Sequence, residues 1–180
     1  MPMIIKGGNC VEKIYEDLHR ILDEERLLDI LNLSYSVMDN NYRALSAQAS
    51  SMPNVHVYQE LLDYCHEQVV QYIRNYDHLM NILCQPTNIQ PVYFSIVESD
   101  AFKSLCTEEF KGFPRIIAMA MLAGTEAAVA NCTLQVLEDQ DERIVRYLDE
   151  LVDTYQGYLL DALAYGKGEK KSVFFTDNNL

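Results

Sequence analysis

The sequence predicts an all-α chain: an antiparallel four-helix bundle made of two helical hairpins joined by a long crossover, preceded by an N-terminal helix. Two observations carry this. Four long segments keep a seven-residue apolar repeat in alternating steps of three and four, which places each set on one helical face. Short breaks rich in Ser, Pro, Asn and Asp separate the segments pairwise, and tight connections make neighbouring helices antiparallel.

The N-terminal helix is expected over 10–23. Asn9 and Glu12, after Gly7-Gly8, have the spacing of a capping box, and Val11, Ile14, Tyr15, Leu18, Ile21 and Leu22 supply an apolar face. The next helix, 24–52, carries the seam Leu28, Leu31, Tyr35, Met38, Tyr42, Leu45, Ala49 and Met52. Ser50-Ser51-Met52-Pro53-Asn54 ends it. Helix 54–84 completes the hairpin 24–84 with the seam Val55, Tyr58, Leu62, Cys65, Val69, Tyr72, Tyr76, Leu79 and Leu83. The crossover 85–112, with Pro86, Pro91 and Gly112, is too long for a tight turn, and a short helix is expected near 92–105. The second hairpin, 113–166, pairs a helix carrying Ile116, Ala120, Ala123, Ala127, Ala130, Leu134 and Leu137 with one carrying Ile144, Leu148, Leu151, Tyr155, Tyr158 and Ala162. Asp139, Asp141 and Glu142 read as the cap and first turn of the last helix, where negative charge is favourable. Residues 1–166 are thus read as one domain. The remainder, 167–180, contains Lys167, Lys170, Lys171, Phe174 and Phe175 and reads as a flexible tail.

Composition narrows the function. The chain has 180 residues, 49% of them hydrophobic, and a formal net charge of -13. An acidic surface of this kind repels nucleic acid and anionic lipid, so neither is expected as a partner. The five cysteines are scattered, with no CxxC pair, as expected for reduced thiols in a cytoplasmic protein. The run 116–137 approaches membrane-span length, but Gly124, Thr125, Glu126, Asn131, Thr133 and Gln135 interrupt it, and a core helix is expected rather than a span. Motifs for a dinucleotide loop, a P-loop, a serine nucleophile elbow and an HExxH zinc site are all absent.

Glu126 is the most informative residue. It is the one charged side chain between Arg115 and Glu138, inside a run of Ile, Met, Ala, Leu and Val. A carboxyl group there must be protonated, hydrogen-bonded or bound to a cation, because burying a bare charge is costly. It lies on the stripe beside the seam. The matching stripes carry Asp63 and His66 on the second bundle helix, Asp149 and Gln156 on the fourth, and Ser34 and Asn41 on the first. Wide buried faces would turn several of these polar groups inward.

On these residues the layout resembles the ferritin-like, rubrerythrin-related superfamily. The segment SYSVMDNNYRALSAQASSMPNVHVYQELLDYCHEQ, following Leu33, looks like the first hairpin of that fold, and AGTEAAVANCTLQVLEDQDERIVRYLDELVDTYQGYLL like the second. The resemblance implies two metal ions held by a carboxylate on one helix of each half and a Glu-x-x-His on the next. Glu126 matches the carboxylate of the third helix. Asp63-Tyr64-Cys65-His66 matches the Glu-x-x-His of the second, with Asp in place of Glu. The corresponding tetrad of the fourth helix, Asp153-Thr154-Tyr155-Gln156, has Gln for His, and the carboxylate position of the first helix falls at Ser34 or Tyr35. The implied set is therefore degenerate. Asp63, His66 and Glu126 are the candidate ligands, with Asp149 and Gln156 in support, for iron, manganese or zinc. Two plainer readings of Glu126 stand beside this. Tyr35, Tyr42, Tyr72 or Tyr155 would donate to it in a satisfied core network, or it faces a binding groove or dimer face. His66 alone reads as a core or boundary histidine, and His19, His56 and His78 as solvent-facing. With the ligand set incomplete, the expectation is a non-catalytic module that binds a protein partner or a second copy. The alternative is a metal protein with oxygen- or peroxide-related chemistry.

Overall fold

A computed structural model describes residues 8–50, 55–84, 91–106 and 113–166. All of the regular structure among them is helical: α1 (Gly8–Ile21), α2 (Glu24–Ala49), α3 (Val55–Arg74), α4 (Tyr76–Cys84), α5 (Pro91–Val97), α6 (Asp100–Leu105), α7 (Phe113–Val136) and α8 (Glu142–Gly166). The tail 167–180 and the break at 51–54 lie outside the described residues, as do 85–90 and 107–112 of the crossover.

Helix α7 is the centre of the fold. It packs on α8, α2, α3, α4 and α5. Its sequence explains this position, since between Pro114 and Ala130 only Arg115 and Ile117 are less than buried. The stretch Pro114–Val136 is long and apolar enough to cross a membrane, but the other helices bury 89% of its most apolar window. Its most extensive packing is on α8, and its small side chains, among them Ala123, Ala127 and Ala130, are buried. Ser34 lies beside Cys132, and Asn41 beside Gly124, so α2 and α7 run antiparallel. Ser46 likewise meets Gln59 and Tyr42 meets Asp63, so α2 runs antiparallel to α3.

Three element boundaries differ from the sequence expectation. The single helix 54–84 is two helices. Asn75 breaks it, and its Oδ1 accepts from the backbone N–H groups of Asp77 (2.9 Å) and His78 (3.2 Å) to cap α4. The short crossover helix is also two. Ser99 separates α5 from α6, its Oγ accepting from Phe102 N at 3.2 Å and from the Tyr64 hydroxyl at 2.8 Å, which ties α6 to α3. Helices α1 and α2 are separate elements, as their expected ranges 10–23 and 24–52 have them, with Asp23 capping α2 by accepting from Arg26 N at 2.9 Å. Helix α1 begins at Gly8, one residue ahead of the expected capping box. Asp141 caps α8 as expected, accepting from Arg143 N at 2.8 Å, and the Arg143 guanidinium holds its carboxyl below the usual range.

The seams are largely core. On α3 and α4, Tyr58, Leu62, Cys65, Val69, Tyr72, Leu79 and Leu83 are all buried. The exception is the start of α2. Leu28 is 57% exposed, and the wholly buried residues are Ile30 and Ser34, from the neighbouring stripe. The first turns of α2 thus bury the neighbouring stripe, while further along the seam residues Met38 and Ala49 are the buried ones.

Two phenols on α8 join the hairpins. Tyr155 Oη donates to the Ile82 carbonyl at 2.5 Å, and Tyr147 Oη donates to the Leu83 carbonyl. These are carbonyls in the last turn of α4, which no further helical N–H can satisfy.

Candidate binding cleft

The five residues singled out for a metal site are not brought together. Glu126 is buried on α7, with 3% of its surface exposed. Asp63 is exposed on α3, where it accepts from Tyr42 Oη and from Gln59 Nε2 at 2.8 Å. His66 is half-buried and stacks on Tyr42 with ring centroids 4.6 Å apart. Asp149 and Gln156 both face solvent on α8. Among the described residues no three of His, Cys, Asp and Glu group closely enough to hold a metal ion. The helical spacing placed Asp63 and His66 on one stripe correctly. That stripe forms the rim of α3 rather than its inner face, because the α3 core is filled by the seam itself.

Glu126 lies instead in a phenol-lined part of the core. Its negative charge adds to the effect of burial in raising the Tyr72 and Tyr155 phenols above their ordinary value. Tyr155 does not donate to it, since that hydroxyl is taken by Ile82, and Tyr42 donates to Asp63. Tyr72 is a further phenol within reach of its charge. Its ring stacks on His78, with centroids 4.3 Å apart and planes 5° from parallel, so His78 is half-buried rather than solvent-facing. The Tyr72 hydroxyl makes no hydrogen bond of good geometry, although the Asn81 side chain beside it favours its ionised form slightly. A double-mutant cycle between Glu126→Gln and Tyr72→Phe is expected to show a coupling of at least about 0.5 kcal/mol in chemical denaturation. Strict additivity would mean that the two groups do not interact.

The cavity of interest lies elsewhere on α7. A cleft of about 180 Å³ opens between α2 and α8, with α7 as its floor. Ala120, Met121, Gly124 and Thr125 form the floor, Met38, Asn41, Tyr42, Ala44 and Leu45 one wall, and Leu159 and His66 the remainder. None of these residues is an Asp, Glu, Lys or Arg. Thr125 donates its hydroxyl to Met121 O at 2.8 Å, so its polar atom is already used. Asn41 and Ala44 are exposed and form the lip.

Gly124 shapes the floor. A Cβ built there would lie 3.9 Å from both Asn41 Nδ2 and Leu159 Cδ2, which is ordinary contact distance. The glycine is therefore not required by the backbone, and what it provides is depth. Gly124→Ala should raise stability by about 0.5–1 kcal/mol, the usual cost of glycine inside a helix. A loss of stability on thermal melting would show instead that the site is tighter than this geometry allows.

Sequence reasoning missed the cleft. Asn41, on the stripe beside the α2 seam and expected among its inward-facing polar groups, stands instead at the exposed lip. Leu160, 65% exposed on α8 next to the cleft residue Leu159, and Leu33, 41% exposed on α2, were not singled out as surface features. The available signal was the pair Ala120 and Gly124, at i and i+4 on α7, where small side chains leave room on one face.

Comparison of the chain with protein-family models, with curated proteins and with solved structures finds no match in any of the three.

Proposed function

We propose that this chain is a non-catalytic helical module that acts by binding another protein, and that α2, α3 with α4, α7 and α8 form a four-helix core of ferritin-like layout without a working metal set. The observation that carries the functional reading is the cleft over Gly124, without Asp, Glu, Lys or Arg in its lining, on a chain of net charge -13. An apolar cleft left open on the surface marks an interaction site more often than an accident of packing. The cleft is about the size of the engineered cavities that hold one benzene-sized group, so a single partner side chain fills it. The residues around it supply shape and apolar surface, and none is arranged as a nucleophile–base pair.

A photo-crosslinking side chain at Ala44, on the exposed lip, tests this in cells that express the protein. The expected result is a discrete covalent adduct with another polypeptide, lost when Gly124→Leu fills the cleft. Ala44 is exposed, so the substitution itself should change stability by no more than about 0.5 kcal/mol. Adducts that persist unchanged in Gly124→Leu, with its melting temperature preserved, would overturn the cleft as the site.

A further inference from the structure

We infer that the occupant of the cleft is a basic amphipathic helix, which lays an apolar anchor of Phe or Leu size over Gly124 and its positive charges against α3 and α8. This rests on the interaction-module reading above and specifies its partner. The size of the cleft sets the anchor, since about 180 Å³ between Met38, Met121 and Leu159 takes one such side chain. Its position sets the shape of the ligand. The cleft lies where α2 and α8 flank α7 without packing closely on each other, and a groove between helices is filled by a helix carrying anchors at i, i+3 and i+7.

Charge sets the sign. On α8 from Tyr147 to its end, the exposed charged side chains are Asp149, Glu150 and Asp153, with no Lys or Arg among them, while Asp161 is buried. On α3 before Arg74 they are Glu60, Asp63 and Glu67. Of the basic groups on these helices, Arg43 pairs with Asp39 and Arg146 with Glu142, each at 3.0 Å, Arg74 lies over the Tyr35 ring, and Arg115 stands near the start of α7. A cleft without Asp, Glu, Lys or Arg in its lining, flanked by helices on which acids outnumber basic groups, attracts a basic ligand and repels an acidic one. The same field opposes a second copy of this chain, which would bring its own acidic helices to the interface.

The test is an unbiased selection. A displayed library of amphipathic helical peptides, randomised at both anchor and flanking positions, is selected on the full chain and counter-selected against Gly124→Leu. The expected survivors carry net positive charge and one Phe or Leu anchor. Changing that anchor to Ala weakens binding by about tenfold or more, and raising salt from about 0.05 to about 0.3 M weakens it further. On binding, the methyl resonances of Met38 and Met121 shift. Survivors that discriminate Gly124→Leu but are neutral or acidic would overturn the basic partner and leave the cleft standing as a site. If no peptide discriminates, and Ala44→Arg is equally without effect on binding, both readings fall. A concentration-dependent dimer abolished by Gly124→Leu would overturn the inference in favour of a second copy. Movement of the Met38 and Met121 resonances on removing residues 168–180 would overturn it in favour of the chain's own basic segment.

Discussion

Tyr155→Ala is expected to destabilise the protein by about 3–5 kcal/mol, the range for deleting a large, fully buried aromatic side chain. Tyr155 has 0% of its surface exposed and is among the largest side chains wholly inside the core. For a chain of this length the loss corresponds to a fall in melting temperature of about 6–20 °C. Tyr155→Phe separates the ring from the hydroxyl. It keeps the packing and strands the Ile82 carbonyl, which is otherwise bonded at 2.5 Å, at a cost of about 1–3 kcal/mol. Tyr147→Phe should behave in the same way through the Leu83 carbonyl. These bonds join the end of the first hairpin to the last helix, across the whole crossover. Thermal melts of the three variants check the ordering, with Tyr155→Ala the lowest. A Tyr155→Phe variant as stable as the parent would show that water satisfies the carbonyl equally well.

The fold should also come apart in alkali over a narrow pH range. Burial pushes the Cys65 and Cys84 thiols from 9.0 up to about 12, and raises the phenols of Tyr147 and Tyr155. An acid whose pKa is higher in the folded state keeps its proton there while the unfolded chain loses it. The stabilisation is therefore fully present below the unfolded value, pH 9 for the thiols and pH 10 for the phenols, and is lost as pH rises toward the folded values. Each buried thiol costs about 1.4 kcal/mol per pH unit above 9. By about pH 11 the two together remove about 5 kcal/mol, comparable with the whole stability of many domains. Circular dichroism and tyrosinate absorbance should therefore change together near pH 11, as the buried phenols ionise only on unfolding. A gradual phenol titration through pH 11 with unchanged helicity would contradict this. Cys65→Ala removes one of the two thiols and should flatten the fall of stability with pH, even as the small cavity it leaves lowers stability at neutral pH.

Periodicity located the helices because a buried helical face repeats every three or four residues, and the seams of α3, α7 and α8 needed nothing more. The composition of 114–136 marked α7 as the helix to be surrounded, since an apolar residue at every angle leaves no face for water. The breaks at Asn75 and Ser99 were harder to read, because one polar side chain capping a backbone N–H leaves no mark in the apolar pattern. The candidate site was legible only in part. Glu126 was recognisable as a buried acid from its neighbours in sequence, and Asp63 and His66 as sharing a stripe. Spacing fixes an angle around one helix axis, but not how that helix is turned toward the next.

By itself, the amino-acid sequence determined an all-helical chain, the identity of its most buried helix, the acid within it and the strongly negative surface. These are local or summed properties, set by side-chain chemistry and the helical repeat. Only the tertiary structure decided that the first turns of α2 present Leu28 to water and Ser34 to the core. It also decided that Tyr147 and Tyr155 reach the carbonyls of α4, that Asp63 stands apart from Glu126, and that α2 and α8 leave a cleft over Gly124. Each of these depends on how two helices distant in sequence are turned and spaced about a third, and that is settled by packing volume rather than by the repeat of any one helix.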